Sequence, residues 1–167
     1  MRSTTKKVVF AAMFAALVCV ATMLVKIPSP LKGYINLGDC MVLAAGFVLS
    51  PLYGFMAAGL GSMLADLFAG YAVYAPATFL IKGVMALIVC FGVRCFANRT
   101  GKLGAKILFG VLAEIVMIGG YFLFEGVLYG FGASLVNIPA NAVQGAAGVL
   151  LGVLLAGALE RSKIDFT

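Results

Sequence analysis

Long apolar runs, separated by short polar or Gly/Pro-containing breaks, recur along the whole chain. About 20 apolar residues in a helix span the hydrocarbon core of a bilayer. Within lipid the backbone must satisfy its own hydrogen bonds, and for runs this long the helix does so. Six runs fit, at roughly 5–25, 37–49, 51–69, 76–96, 105–129 and 137–159. The second is short, and Ser50–Pro51 separates it from the third, with Pro51 suited to a helix start. The expected fold class is all-α integral membrane, a single domain of six transmembrane helices over residues 1–167. Composition agrees, with 63% hydrophobic and 11% charged residues. Soluble domains average about 45–50% and about 25%.

Basic residues set the expected orientation, because short cytoplasmic segments carry an excess of Lys and Arg. With the N-terminus inside, the inner segments hold Arg2, Lys6, Lys7, Arg94, Arg99, Lys102, Lys106, Arg161 and Lys163. The outer segments hold Lys26 and Lys32. Both termini are then cytoplasmic, in a multi-pass protein of the cell membrane. The net charge of +6 flanks apolar runs instead of forming one basic face, so no nucleic-acid partner is expected. The first run follows MRSTTKK as a signal peptide would, but continues from Val8 to about Val25 with no A-x-A site after it. It reads as a retained span.

Several chemistries lack their residues. Cys19, Cys40, Cys90 and Cys95 form no CxxC pair, and the chain has no histidine, so neither a metal nor a cofactor is expected. No histidine is available to activate Ser62, and no P-loop motif is present. The chain is not expected to be an enzyme. The alternative of that class is a small membrane-embedded enzyme using Asp66 and Glu114 as acid and base.

The polar residues inside apolar runs are the informative ones. An ionisable group there costs roughly 2.5–3.5 kcal/mol on insertion scales, so it pairs, faces a wet cavity or binds something. Asp39, Asp66, Lys82 and Glu125 fall in the outer half of the expected spans, and Glu114 near the middle. Asn137, Asn141 and Gln144 recur at i, i+4, i+7 and share one helical face. Tyr74, Thr78 and Lys82 recur at i, i+4, i+8, and Glu114, Ile118, Tyr121 and Glu125 at i, i+4, i+7, i+11. Converging stripes line an outward-open cavity for a polar solute. Each has a structural alternative: Asp39 serves a helix dipole, Asp66 and Lys82 form an ion pair, the amides join helices, and Tyr71 and Tyr74 anchor at the interface. For Glu114, pocket floor and structural pair stand equal. Ala11, Ala12, Ala15 and Ala16 form overlapping A-xxx-A pairs that admit another helix closely, or reflect the frequency of alanine in membrane helices.

GYINLGD at 33–39, SPLYG at 50–54, GLGSMLADLFAGYAVYAPATFLIKGVMAL at 59–87 and NIPANAVQGAAG at 137–148 resemble the substrate-binding S components of energy-coupling factor (ECF) transporters. The group resembled is the one named for riboflavin transporters. The resemblance implies six helices with both termini inside and capture of a vitamin or vitamin precursor. It also implies partnership with a membrane coupling subunit and two ATPases. It makes Ala11, Ala12, Ala15 and Ala16 a docking surface for the coupling subunit. It places the pocket near Asn36, Asp39, Tyr71, Tyr74, Lys82, Tyr121, Asn137, Asn141 and Gln144; the stripes add Glu114. The absence of tryptophan and the polar inventory favour a small ring such as hydroxymethylpyrimidine or pyridoxine. Riboflavin and a queuosine precursor are the alternatives.

Overall fold

The computed structural model describes residues 4–29 and 33–162. Arg2, Lys32 and Lys163 of the charge count lie outside the described residues. Helix α1 is Thr4–Leu24. A short antiparallel hairpin follows, β1 Ile27–Pro28 and β2 Tyr34–Ile35, with Ile27 opposite Ile35 and Pro28 opposite Tyr34. Then come α2 Gly38–Val48, α3 Pro51–Phe68, α4 Ala75–Tyr129, α5 Phe131–Ser134, a 3-10 turn at Leu135–Asn137 and α6 Ile138–Arg161.

Helix α4 is two antiparallel arms. Gly101 inside it has φ 74° and ψ 156°, a conformation open to glycine at little cost. Residues on either side of it meet: Thr78 Oγ1 lies 3.1 Å from the Tyr121 hydroxyl, and the Phe96 and Phe109 rings are 5.3 Å apart. A straight helix would hold such pairs ~20 Å or more apart. The arms correspond to the fourth and fifth apolar runs. The polar connection expected between them is itself helical, apart from that one glycine. The break expected between the runs at 105–129 and 137–159 is also helical from Phe131 onward, and this is a correction. Gly130, with φ 91°, ends α4, and the Ser134 hydroxyl donates to the Phe131 carbonyl at 3.0 Å to close one turn. A helical turn satisfies its own amides, which suits an apolar surrounding.

Helix α2 sits at the centre, with Val42, Leu43, Ala44 and Ala45 fully buried. Small residues let its neighbours close in. A Cβ on Gly46 would lie 2.7 Å from the Ala86 carbonyl oxygen, and one on Gly61 of α3 would lie 2.4 Å from the Ala15 carbonyl oxygen of α1. The outside is apolar: Leu80, Phe91, Ile115, Val127, Val143 and Leu150 are exposed, whereas Asp39, Lys82, Glu114 and Gln144 are buried. That inverts the pattern of a soluble domain. Among the described residues four helical stretches are long and apolar enough to cross a membrane: Thr4–Leu24, Pro51–Phe68, Ala75–Tyr129 and Phe131–Arg161.

The two ends of the bundle differ. Phe10 and Ala11 of α1 join a cluster with Leu155 and Leu159 of α6. At the same end the Lys106 ammonium bonds Glu160 at 2.8 Å, and Arg94 donates to the Leu49 carbonyl at 3.3 Å. The opposite end carries the β hairpin, the turn at Gly70 (φ 84°) between α3 and α4, and α5. Polar side chains gather at this second end.

Candidate binding site

A cavity of about 40 Å³ lies beneath the hairpin. Ser29, Gly33, Tyr34 and Asn36 line it from the connection between α1 and α2. Asp66 and Tyr71 line it from the end of α3 and the turn beyond, and Tyr74 and Thr78 from the start of α4. Tyr121 and Glu125 come from the second arm of α4, Asn137 from the end of the 3-10 turn, and Asn141 and Gln144 from the start of α6. The α6 stripe thus meets the cavity whole. Helical spacing puts its three amides on one face, and the turn at Gly130 aims that face back at α4.

The walls are cross-linked by hydrogen bonds. The Tyr34 hydroxyl donates to Asp66 Oδ1 at 2.8 Å, pinning the hairpin to α3. Burial, and then the Asp66 carboxylate beside it, holds the Tyr34 phenol well above its usual range, so it serves as a donor. Glu125 Oε1 accepts from the Tyr74 hydroxyl at 3.3 Å and from the Asn137 amide at 2.9 Å. Rings form one side: Tyr34 and Tyr71 centroids are 5.1 Å apart, Tyr71 and Tyr74 6.2 Å, and Tyr74 and Phe124 5.4 Å. A planar guest meets aromatic faces there and polar edges opposite.

A second polar layer lies one step deeper. The Lys82 ammonium donates to Asp39 Oδ1 and sits 5.5 Å from the Tyr121 ring centroid. The Gln144 amide donates to Asp39 Oδ2 at 2.7 Å, and its Oε1 accepts from the Asn36 backbone N–H at 2.8 Å. Gln144 therefore belongs to both layers. Glu114 packs against α6, where a Cβ added to Gly148 would lie 2.7 Å from Oε1. Both of its carboxyl oxygens are buried with no hydrogen-bond partner among the described residues.

Several expectations change. Lys82 pairs with Asp39 and not with Asp66, because the first turn of α2 faces the first arm of α4 while Tyr34 occupies Asp66. Asp39, Lys82 and Glu114 sit below the cavity and do not line it. Asp66 lines the cavity and Glu114 does not, so the two carboxylates of the enzyme alternative do not share one wall. Asn36, Tyr71, Tyr74, Tyr121, Asn137, Asn141 and Gln144 do line the cavity. Asn36 has a further task, since its Oδ1 accepts from the Gly38 N–H at 2.8 Å at the start of α2. Sequence reasoning did not name Tyr34, Ser29, Thr78 or Glu125 as site residues, and gave Asp66 as a partner of Lys82 or as half of the acid–base pair of the enzyme alternative. Thr78 and Glu125 carried a signal as members of the polar stripes. Tyr34 and Ser29 lie in a hairpin, where no periodicity marks the inward face.

A helical bundle with an apolar exterior, closed at one end over a polar cavity, is the architecture of a membrane protein that binds a small solute. The chain belongs to the family described as ECF-type riboflavin transporter, S component, which it matches over residues 2–161. It is similar to the structure titled "Structure and mechanism of the S component of a bacterial ECF transporter" (TM-score 0.72, 23% identity, 95% of this chain and 98% of that one), a likeness of fold. An uncharacterized protein in the gap 3' region of Pyrococcus woesei is 40% identical over 136 residues, 81% of this chain and 88% of its own length. The thiamine precursor transporter HmpT of Lactococcus lactis subsp. cremoris (strain MG1363) is 28% identical over 161 residues, 95% of this chain and 90% of its own length.

Proposed function

We propose that this S component captures a water-soluble vitamin precursor, of the hydroxymethylpyrimidine or pyridoxine kind, from outside the cell. It hands the precursor inward with a membrane coupling subunit and two ATPases, and catalyses no reaction itself. The observation that carries this reading is the polar cavity enclosed by hairpin, α3, α4 and α6 inside an apolar exterior. The contacts proposed for the guest are Asn36, Tyr71, Tyr74, Tyr121, Asn137, Asn141 and Gln144, with Tyr34, Asp66 and Glu125 added. Asp39 and Lys82, with Gln144, act from below by joining α2, α4 and α6. The relative HmpT, by its description, transports a thiamine precursor, which supports a single-ring guest. Riboflavin is the second reading, favoured by the family description.

The membrane arrangement proposed is one domain of six spans: α1, α2, α3, the two arms of α4, and α6. Both termini and the Gly101 turn face the cytoplasm. Lys6, Lys7, Arg94, Arg99, Lys102, Lys106 and Arg161 then share one side, and Lys26 the other, as the basic-residue rule requires. Ala12 and Ala16 are exposed on α1, while Ala11 and Ala15 are half-buried beside α3. Together they offer the coupling subunit a flat helix face. Thermal unfolding of the purified chain against a vitamin panel tests the reading, since a bound guest raises the melting temperature by mass action. One water-soluble vitamin or precursor is expected to stabilise it. A panel with no stabilising member overturns it.

A further inference from the structure

The cavity holds an unmet demand. Glu125 is 3% exposed and lines the cavity. Its Oε1 is occupied by Tyr74 and Asn137. Its Oε2 is buried with no hydrogen-bond partner among the described residues. A carboxylate oxygen is acceptor only, and leaving a buried acceptor unmet is costly. Such an atom on a cavity wall calls for a donor from whatever fills the cavity. The Ser29 hydroxyl, buried on the hairpin side, likewise has no partner among the described residues.

Resting on the capture proposed above, we infer that Glu125 Oε2 receives an N–H from an exocyclic amino group on the ring of the guest, and so selects an aminated ring over one without it. An amino group conjugated to a ring donates and does not accept, which matches an acceptor-only oxygen. A ring oxo group in its place would set lone pairs against lone pairs. Ser29 both donates and accepts, so it tolerates a hydroxyl substituent on the same ring. Asp66 is less suited to the selecting role, because Tyr34 already donates to it.

The test titrates the purified full chain in detergent with an aminopyrimidine bearing a hydroxymethyl group, with its des-amino counterpart, and with riboflavin. The wild type binds the amino compound about 10-fold or more tightly than the des-amino compound, the loss expected when a buried charged acceptor is left unpaired. Glu125→Gln keeps an oxygen for Tyr74 and Asn137 and turns its amide N–H₂ toward the guest. Its ligand-free melting temperature is unchanged, binding of the amino compound falls about 10-fold or more, and binding of the des-amino compound does not fall. Equal wild-type affinity for the two pyrimidines, or an equal loss of both in Glu125→Gln, overturns the inference and leaves capture intact. Binding of riboflavin with neither pyrimidine bound does the same. Binding of none of the three overturns both.

Discussion

Gln144 of α6 and Asp39 of α2, 105 positions apart in the chain, meet through a hydrogen bond of 2.7 Å from amide to carboxylate. The same Gln144 side chain accepts from the Asn36 backbone at 2.8 Å. One residue thus ties the cavity wall to the layer beneath it. Gln144→Ala strips a partner from the buried Asp39 carboxylate and from the half-buried Asn36 amide at once. Each such loss costs about 1–3 kcal/mol, so a clear drop in melting temperature is expected together with weaker ligand binding. Thermal unfolding in detergent, with and without ligand, measures both.

Lys82 and Asp39 are a buried pair. Removing one partner strands the other, at a cost of about 3–5 kcal/mol, whereas replacing both with apolar groups is often tolerated. Lys82→Met and Asp39→Leu are each expected to be strongly destabilising, and the double variant to recover much of the loss. Additive effects in the unfolding free energies would show that the two side chains act independently.

Asn141 differs from these. It lines the cavity and is half-buried. Asn141→Ala is expected to weaken ligand binding about 10-fold, roughly one lost hydrogen bond, and to leave the ligand-free melting temperature unchanged. Titration calorimetry together with a melting curve separates the two effects.

The Tyr34–Asp66 bond holds the hairpin over the cavity. The raised phenol of Tyr34 gives a sign to its pH dependence. Its stabilising contribution is present below the ordinary tyrosine pKa of about 10. It is lost as pH rises through the higher value of the folded protein. Tyr34→Phe should therefore release ligand faster near neutrality and lack the wild type's alkaline loss of stability. Ligand off-rates and unfolding followed across alkaline pH check the two parts.

Gly61 and Gly119 form a matched pair of tests. A Cβ on Gly61 would lie 2.4 Å from the Ala15 backbone oxygen, while one on Gly119 meets nothing within 4 Å. Gly61→Ala should cost about 1–3 kcal/mol by overpacking. Gly119→Ala should be neutral or gain about 0.5–1 kcal/mol from helix propensity. Equal melting temperatures in the two variants would contradict the close approach of α1 to α3.

Much of this is legible in the sequence alone. Apolar runs of spanning length show a helix whatever it packs against, so each expected run is helical. Asn137, Asn141 and Gln144 reach one cavity because 3.6-residue periodicity fixes a face once one member points inward. Partner choice was not legible. Asp66 and Asp39 are equally plausible for Lys82 in one dimension, and only the placement of α2 between α4 and α6 decides. The hairpin contribution was hidden for a different reason: Ser29 and Tyr34 reach the cavity through a turn with no repeating pattern. At Gly101, composition suggested a polar loop, whereas a single left-handed residue reverses the chain between two continuing helices.

That reversal has a practical use. Among the described residues nothing lies within 4 Å of a Cβ added at Gly101, and the contacts that bind the two arms of α4 together are made elsewhere along them. A fluorophore or an affinity tag spliced in there would hang free of the bundle, at the end remote from the cavity. It would give experimenters a handle on one face of the protein while the other stays open to titrate.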